Sequence, residues 1–303
     1  DTWAELPSSF DIFSVPWDRR RDYRYEGPEI IYTFWDKHVP CLREGCGHRT
    51  PVMRTPVVAT KTLTVEAWAN HECSGCCKAY DVERHAARMA PGAPIFTAAS
   101  EKPYAIMDDK GFFVCPHCGQ KNQDGQARTQ NNSPRLGKAK NKKVDLSLLI
   151  HPQWLKGIPK TDEKGREYGG SATDTPEATT RWNDARAAKL RLLEVRGALP
   201  DQVTCPETNI TFFTDIRGGT VPKKSTVACA ADGSPNDVLD AVKASGKTGP
   251  ITPYILQCFS QKRAAAGEPY NGRFFTAATD TRRVNSAAVE WNERKDADLK
   301  GWW

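Results

Sequence analysis

The sequence predicts an α+β fold in which short antiparallel strands with zinc knuckles, a zinc-ribbon arrangement, combine with a few helices and many loops. Cysteines fall in close pairs beside Gly, His and Pro, which is typical of metal-binding turns. Runs rich in β-branched residues separate these pairs and indicate strands. The 303 residues include 22 Gly and 21 Pro, and the mean hydropathy is −0.61, which favours turns and short strands over a compact helical enzyme.

The order of these patterns divides the chain into four segments. We expect a basic and aromatic arm over 1–28, a zinc-ribbon domain over 29–118, a mobile basic linker over 119–143, and a second α+β region over 144–303 with a second zinc ribbon. The chain begins with Asp1 and ends with Trp302 and Trp303, which suggests a piece of a longer polypeptide. A processed chain that ends in a docked aromatic side chain is the alternative.

Apolar periodicity and capping residues predict the individual elements. Strands are expected at 30–35, 57–68, 144–150, 210–213, 225–228 and 274–275. Helices are expected at 81–89, 175–196, 234–244 and 285–299. The second helix has the clearest start, because Thr175 is a good N-cap and Pro176 suits the first turn.

The first predicted metal site combines Cys41 and Cys46 with Cys73 and Cys76. Zinc takes four ligands at tetrahedral corners, and two cysteines on one turn supply two of them. The strand-rich segment between the two pairs would bring the second turn back to the first. Two alternatives stay open: Cys77 could replace Cys76, and His48 could compete as a ligand.

The second predicted site combines Cys115 and Cys118 with Cys229 and Asp232. Cys229 and Asp232 have the spacing of a knuckle whose second thiol is replaced by a carboxylate, which zinc also accepts. An eroded site that holds no metal is the alternative, so we expect one or two zinc ions. His117 is expected to face outward, and Cys205 stands alone in the sequence.

Nucleotide-binding and catalytic motifs are absent from the sequence. It has no Gly-x-Gly-x-x-Gly, Walker loop or Gly-x-Ser-x-Gly, and no His-Glu-x-x-His or deaminase-type zinc motif. A catalytic zinc keeps an open position beside a general base, whereas these patterns favour structural zinc. No catalytic residue is assigned, and whether the chain is an enzyme stays open.

The charge distribution points to an anionic partner. The net charge is +6, and the polar segment over 119–143 carries seven basic residues against one acid. We expect phosphates of double-stranded DNA to be contacted from this segment and from one face of the helix at 175–196. The candidate residues are Lys138, Lys140, Lys142, Lys143, Arg181 and Arg186.

Cysteine use and hydropathy indicate the compartment. Cysteine pairs in a chain of this length favour metal binding in a reducing cytoplasm over disulfides. No apolar run approaches the roughly 18 residues of a membrane span, so we expect a cytoplasmic protein without a membrane partner.

Several motifs, taken in order, resemble those of adenine-specific DNA methylases that contain a zinc-ribbon region. They are Ile31-Tyr-Thr-Phe-Trp-Asp-Lys-His38 before Cys41, Cys46-Gly-His-Arg-Thr-Pro51, Leu149-Ile-His-Pro-Gln-Trp-Leu155, Tyr168-Gly-Gly170, Thr204-Cys-Pro-Glu-Thr208 and Leu299-Lys-Gly-Trp-Trp303. The resemblance spans most of 30–303 and implies the central, non-catalytic part of such a methylase.

The resemblance also implies features that this chain does not carry. In that family an S-adenosylmethionine loop precedes such a region, and an Asn-Pro-Pro-Tyr or Asp-Pro-Pro-Tyr motif elsewhere holds the flipped adenine. Neither motif occurs here, and Gly267-Glu-Pro-Tyr270 is no substitute. Asp232 also stands where the family tends to complete a paired knuckle.

Three functional hypotheses follow. The first is a zinc-binding region that helps a DNA adenine methyltransferase bind DNA or select its target, with S-adenosylmethionine bound elsewhere in the parent protein. The second is a zinc-stapled docking module for other subunits of a restriction, modification or phage-defence system. The third is an enzyme with unrecognised chemistry, which ranks last because no acid–base pair converges in the sequence.

Overall fold

The computed structural model describes residues 15–22, 28–124, 136–168, 175–221, 225–244 and 251–280. About 40% of the chain is strand and about 15% is helix, which agrees with the α+β class. The predicted helix at 285–299 lies outside the described residues, as do most of the predicted arm and residues 125–135 of the predicted linker.

The larger of two main sheets has six strands in the order β5-β10-β9-β3-β4-β6. Its strands are β3 (Val57–Glu72), β4 (Ala79–Glu83), β5 (Ile95–Thr97), β6 (Tyr104–Ile106), β9 (Lys140–Ile150) and β10 (Leu192–Arg196). The central pair, β3 and β9, is antiparallel, whereas β5 and β6 join their neighbours in parallel. Side chains alternate along β3, so Leu63 and Val65 are buried while Thr62 and Thr64 are exposed.

The smaller main sheet has four strands in the order β16-β15-β1-β2. Its strands are β1 (Glu29–Pro40), β2 (Arg49–Pro51), β15 (Ile251–Phe259) and β16 (Arg273–Ala277). Ile255 and Phe275 from this sheet pack in the same buried apolar cluster as Val65, Leu146 and Leu148. One core therefore holds both main sheets together.

Three two-stranded hairpins complete the described strands. They are β7 (Phe112–Val114) with β8 (Lys121–Gln123), β11 (Gln202–Thr204) with β12 (Thr211–Phe213), and β13 (Thr226–Ala228) with β14 (Pro235–Asp237). Five of these six three-residue strands bury their central residue, such as Phe113, Val203 or Val227, while Phe212 of β12 is half-buried.

Four α-helices are described: α1 (Pro152–Leu155), α2 (Pro176–Lys189), α3 (Val238–Ala244) and α4 (Gln261–Ala265). The Thr175 side chain accepts a hydrogen bond from Ala178 N at 3.2 Å, as the predicted N-cap requires. Within the described ranges, none of the helices has the length and apolarity that a membrane span requires.

Two helix predictions are wrong. Helix α2 ends at Lys189 instead of continuing to residue 196, because Leu190 is extended and Leu192–Arg196 forms β10, whose residues are all buried. Residues 81–83 of the expected helix at 81–89 belong instead to β4, where pairing with β3 buries Tyr80 and Val82. Tertiary pairing overrides the local preference in both places.

The predicted segments do not coincide with the sheets. Strand β3 from 29–118 pairs with β9, most of which lies in 144–303, and β1 pairs with β15. The expected linker contains β8 and the start of β9. Strands from both sides of residues 119–143 therefore share both main sheets.

Candidate metal centres

Hairpin turns with one hydrogen-bonding pattern carry most of the candidate ligands. In the β7–β8 turn, Cys115 N donates to Gln120 O and Gly119 N donates to Cys115 O, both at 2.9 Å. The β3–β4 turn at Cys73 and the β13–β14 turn at Cys229 repeat this pattern. Each turn therefore presents a first ligand and a second ligand three residues later, as in a zinc knuckle.

The residue after the second ligand has a left-handed backbone. Gly119 has φ 76° and Gly233 has φ 70°, where the absence of a Cβ removes the steric penalty. Cys77 takes the same position with φ 55°, so its side chain is directed differently from that of Cys76. Cys77 is exposed and lies outside both ligand clusters. Of the two alternatives, the structure therefore places Cys76 with the other ligands.

The first cluster, here called the four-thiol centre, comprises Cys73, Cys76, Cys115 and Cys118. Their sulfur atoms all lie within 4.8 Å of one another. Cys73 Sγ lies 3.6 Å from Cys118 Sγ, and Cys76 Sγ lies 3.8 Å from Cys115 Sγ. Cys73 and Cys115 are buried against Trp68, Tyr80 and Phe113, so the centre lies at the edge of a small apolar cluster.

The second cluster, here called the mixed centre, comprises Cys41, Cys46, Cys229 and Asp232. Cys41 and Cys46 lie in the turn between β1 and β2, and the other two ligands lie in the β13–β14 turn. Cys46 Sγ is 3.7 Å from Cys229 Sγ, and Cys41 Sγ is 3.8 Å from Asp232 Oδ2. The centre joins parts of the chain that are 183–191 residues apart.

The spacing of the ligand atoms fits a tetrahedral metal ion. Four Zn–S bonds of about 2.3 Å place neighbouring sulfur atoms about 3.8 Å apart, and one Zn–O bond shortens the sulfur–oxygen edge to about 3.5 Å. The sulfur–sulfur distances of 3.6–3.8 Å match this geometry, and the sulfur–oxygen distance of 3.8 Å is slightly longer. All ten cysteines are free thiols, so no disulfide competes for these sulfur atoms.

Polar neighbours hold the ligands of the mixed centre. Asn236 Nδ2 donates to Cys41 Sγ at 3.6 Å, and Asn236 Oδ1 accepts from Leu42 N at 2.7 Å. Ser234 Oγ donates to Asp232 Oδ1 at 2.5 Å, while Arg43 lies 3.7 Å from the same carboxylate. Such partners orient metal ligands and fix which atom of each ligand faces the ion.

Without a cation, the thiols of the four-thiol centre oppose one another's ionisation. Burial disfavours the Cys73 thiolate, but backbone N–H groups of Cys76 and Gly75 outweigh burial and lower the pKa of Cys73 to about 7. The Gln120 N–H favours the Cys118 thiolate, but desolvation and the thiolates of Cys76 and Cys73 raise the pKa of Cys118 to about 12. A divalent cation would relieve this repulsion.

The mixed centre divides its charge differently. Hydrogen bonds from the Ser234 side chain and backbone lower the pKa of Asp232 well below its usual range. Burial and the thiolates of Cys46 and Cys41 raise the pKa of Cys229 to about 12. The carboxylate is therefore already charged at neutral pH, so it can bind a metal ion without releasing a proton.

The predicted partnership of the knuckles is wrong. Cys41 and Cys46 meet Cys229 and Asp232, not Cys73 and Cys76, which meet Cys115 and Cys118. The eight predicted ligands are the eight residues of the two centres. His48 is not among them: its Nε2 donates to Lys156 O at 2.7 Å. His117 is exposed, as expected.

A fourth turn of the same type, at Cys205, was not predicted. Cys205 N donates to Ile210 O and Asn209 N donates to Cys205 O, both at 2.9 Å, and Thr208 takes the place of a second ligand. His151 Nδ1 accepts from Gln153 N, so Nε2 carries the proton and donates to Thr208 Oγ1 at 3.1 Å. The Cys-x-x-Thr-Asn sequence at 205–209 has the same spacing as Cys-x-x-Cys-Gly at 115–119 and was the available signal, but Thr208 is not a metal ligand type.

The six predicted DNA-contacting residues fall into two groups. Lys138, Lys140 and Lys143 are exposed. Lys142 instead forms ion pairs with Asp81 at 2.9 Å and with Glu83 at 3.4 Å. Lys142 therefore directs its charge to two carboxylates of the protein, and its contact with DNA stays a prediction.

The two arginines of α2 also face the protein. Arg186 is fully buried and donates to Pro253 O at 2.8 Å and to Ala278 O at 2.7 Å, so its predicted role in DNA binding is wrong. Arg181 is half-buried and donates to Glu167 O at 2.7 Å. The sequence alone does not show whether an arginine is exposed to solvent or donates hydrogen bonds to carbonyl groups inside the fold.

No protein-family profile, curated protein or solved structure matches this chain.

Proposed function

We propose that both centres bind zinc and that the zinc ions are structural. The observation that carries this proposal is the sulfur–sulfur spacing of 3.6–3.8 Å in both clusters. Four protein ligands fill a tetrahedral shell and leave no position for substrate or water, as in structural zinc sites. In the four-thiol centre, the two knuckle hairpins would form a zinc ribbon.

Zinc removal tests this proposal. A strong chelator should remove about two zinc ions per chain and lower the midpoint of thermal unfolding, because metal binding contributes to folding free energy. Cobalt substitution should give intense thiolate-to-cobalt absorption. A purified, reduced protein that holds no metal and unfolds at the same temperature with chelator would contradict the proposal.

We further propose that the chain is the zinc-binding region of an adenine-specific DNA methyltransferase and that it helps to bind DNA. The motifs that resemble this family support the proposal. Those at 31–38, 46–51, 149–155 and 204–208 lie on β1, in the turn leading into β2, at the junction of β9 and α1, and in the turn at Cys205, whereas residues 169–170 and the motif at 299–303 lie outside the described residues. The exposed Lys138 and Lys143 supply cations for phosphate contacts. The methyl donor and the adenine pocket would belong to the rest of the parent protein.

A titration against duplex DNA tests the DNA-binding role. Fluorescence anisotropy with a labelled duplex at 50 mM and 200 mM salt should give affinities that fall steeply with salt, because bound lysines release counterions. An absence of salt-dependent binding by the zinc-loaded protein would contradict the role in DNA binding, while the metal centres would be unaffected.

One observation favours a docking module as a second candidate. Strand β1 exposes several large apolar side chains to solvent. They are Ile30, Ile31, Tyr32 and Trp35, with exposed fractions of 40–64%. Such a strand could dock another subunit of a modification or defence system. Co-purification with the products of neighbouring genes that resists nuclease and is lost in Tyr32→Ser/Trp35→Ser would favour this candidate.

A further inference from the structure

A groove opens beside strands β3 and β9 of the six-stranded sheet. Its volume is about 530 Å³, and it lies between strands β3 and β9 and the end of α4. Residues with polar side chains line most of one wall, and Gly267 lies on the other. The polar residues are Thr64, Glu66, Arg84, His85 and Asn141.

The strand register shows which lysines border the groove. Directly paired residues of antiparallel strands lie on the same face of a sheet, and Lys143 pairs with Thr64 while Asn141 pairs with Glu66. Lys143 therefore extends from the face that forms the groove. Lys140 pairs with Ala67 and lies on the opposite face.

Arg84 supplies a second cation inside the groove. Its Nε lies 2.6 Å from Glu66 Oε2, and its guanidinium lies 5.5 Å from the centre of the Trp68 ring. Trp68 Nε1 donates to Gly137 O at 2.7 Å, which holds the exposed Lys138 next to the same tryptophan. Arg84 thus lines the groove, whereas Lys143 lies beside it on β9 and Lys138 lies next to Trp68.

The acids on this face are already engaged. Glu66 pairs with Arg84, and Asp145 accepts a hydrogen bond from Thr62 Oγ1 at 2.7 Å. Lys138 and Lys143 form no ion pair with any residue that the structure describes. Lys138 and Lys143 beside the groove therefore outnumber Asp145, which has no basic partner among the described residues, and Asn141 and Thr64 add hydrogen-bonding side chains.

We propose that this groove binds the phosphodiester backbone of DNA, which specifies the path of the DNA on the proposed DNA-binding region and rests on that proposed function. Lys143 and Lys138 neutralise phosphates, and Arg84 donates to a phosphate oxygen while it stays next to Glu66. Contacts of this kind position DNA without reading its sequence. Sequence recognition would come from elsewhere in the parent protein.

Lys140 offers a matched control for this proposal. It is a lysine on the same strand, three residues from Lys143, and it is also exposed. The two side chains differ in the face of the sheet from which they extend. General electrostatic attraction would weaken equally on loss of either charge, whereas binding in the groove depends on Lys143.

The experiment measures duplex DNA binding by the zinc-loaded chain and by Lys143→Gln, Arg84→Gln and Lys140→Gln across a range of salt concentrations. Loss of one phosphate contact should lower the salt slope by about 0.9 and the affinity at 0.1 M salt by roughly five- to tenfold. We expect this from Lys143→Gln and Arg84→Gln, and a change of less than about twofold from Lys140→Gln. Circular dichroism and zinc content verify that each variant is folded.

The outcomes separate the groove from the DNA-binding function. If the unaltered chain binds DNA and the affinity falls as much in Lys140→Gln as in Lys143→Gln, the groove is not the binding site. The proposed DNA-binding function would still hold. No binding by the unaltered chain would overturn both. A normal salt slope in folded Lys143→Gln and Arg84→Gln would also overturn the groove.

Discussion

The two metal centres use the same kind of hairpin turn to join very different parts of the chain. The four-thiol centre connects turns that are 39–45 residues apart, and two of its cysteines belong to an apolar cluster around Tyr80 and Phe113. The mixed centre connects turns that are 183–191 residues apart and has a carboxylate as its fourth ligand. One centre therefore fixes a local unit, and the other closes most of the chain into a loop.

This difference predicts different consequences of metal loss. A cross-link between distant residues removes more conformational entropy from the unfolded chain, although the dependence on loop length is slow. The mixed centre also holds the β13–β14 hairpin and α3 against β1, where Val39, Val227 and Ala241 form only a small apolar cluster. The four-thiol centre has four sulfur ligands, whereas the mixed centre connects more distant parts of the chain.

The largest expected effect is the loss of a buried thiol from the four-thiol centre. Cys73→Ser should release that zinc ion and unfold the region around Tyr80 and Phe113, because structural zinc provides on the order of 10 kcal/mol of apparent binding free energy. Hydrogen exchange of the β3–β4 and β7–β8 hairpins should accelerate. Cys77→Ser is the control: this neighbouring exposed thiol is no ligand, and its loss should change neither metal content nor exchange.

A change of the carboxylate should alter the mixed centre alone. Asp232→Asn removes a charged ligand, so we expect the zinc affinity of this centre to fall by roughly 100-fold, the upper end of the loss seen when a ligand's supporting partner is removed. Asp232→Cys should restore tight binding as a second four-thiol centre. Competition with a chromophoric chelator measures both affinities, and an equal fall at both centres would contradict their independence.

A smaller effect concerns the strand that leads into the mixed centre. Asp36 on β1 is buried, and desolvation raises its pKa to about 8. Because this folded-state pKa exceeds the unfolded value of about 4, the native state loses stability as pH rises from about 4 to about 8. Above that range the penalty is constant.

Asp36→Asn should remove this penalty. The stability of the variant relative to the unaltered chain should rise between pH 5 and pH 8 by on the order of a few kcal/mol and then level off. Urea unfolding of both proteins at several pH values measures this difference in stability. Both proteins contain the same metal ligands, so the titration of those ligands cancels in the difference. If the stability difference between the two proteins did not change with pH, burial would not raise the pKa of Asp36 and this prediction would be wrong.

The smallest effect concerns the turn at Cys205, which has a hydrogen bond where the other three turns of its type have candidate metal ligands. Thr208→Val should lower the free energy of unfolding by about 1–3 kcal/mol, because the buried His151 Nε2 loses its partner. Zinc content should stay unchanged. Thr211→Val, which removes an exposed hydroxyl pair from the same hairpin, is the matched control and should have a smaller effect.

The ligands could be predicted from the sequence, but their partnership could not. The spacing of Cys115 and Cys118 or of Cys229 and Asp232 identifies a knuckle, because the turn itself places the two side chains together. Nothing in a knuckle specifies which other knuckle it meets. That choice depends on long-range pairing such as β1 with β15, which brings the turn at Cys41 towards the turn at Cys229.

The same limit applies to charge and to local structure. Lys142 and Lys143 are neighbours in sequence, yet strand alternation directs one to Asp81 and Glu83 and the other to solvent. Leu192 and Val195 fit a helical stripe as well as a strand that is buried on both faces. The groove lined by Arg84 and His85 gives no local sequence signal, because its walls come from β3, β4, β9 and the end of α4.

The most direct test of the two-centre arrangement is the zinc count of a double variant, measured by native mass spectrometry. Cys46→Ala/Cys229→Ala removes two ligands from the mixed centre and none from the four-thiol centre. The arrangement predicts two zinc ions in the unaltered chain and one in this variant. If Cys41 and Cys46 were instead partners of Cys73 and Cys76, the variant would damage both centres equally, and a count of none or two would contradict the account.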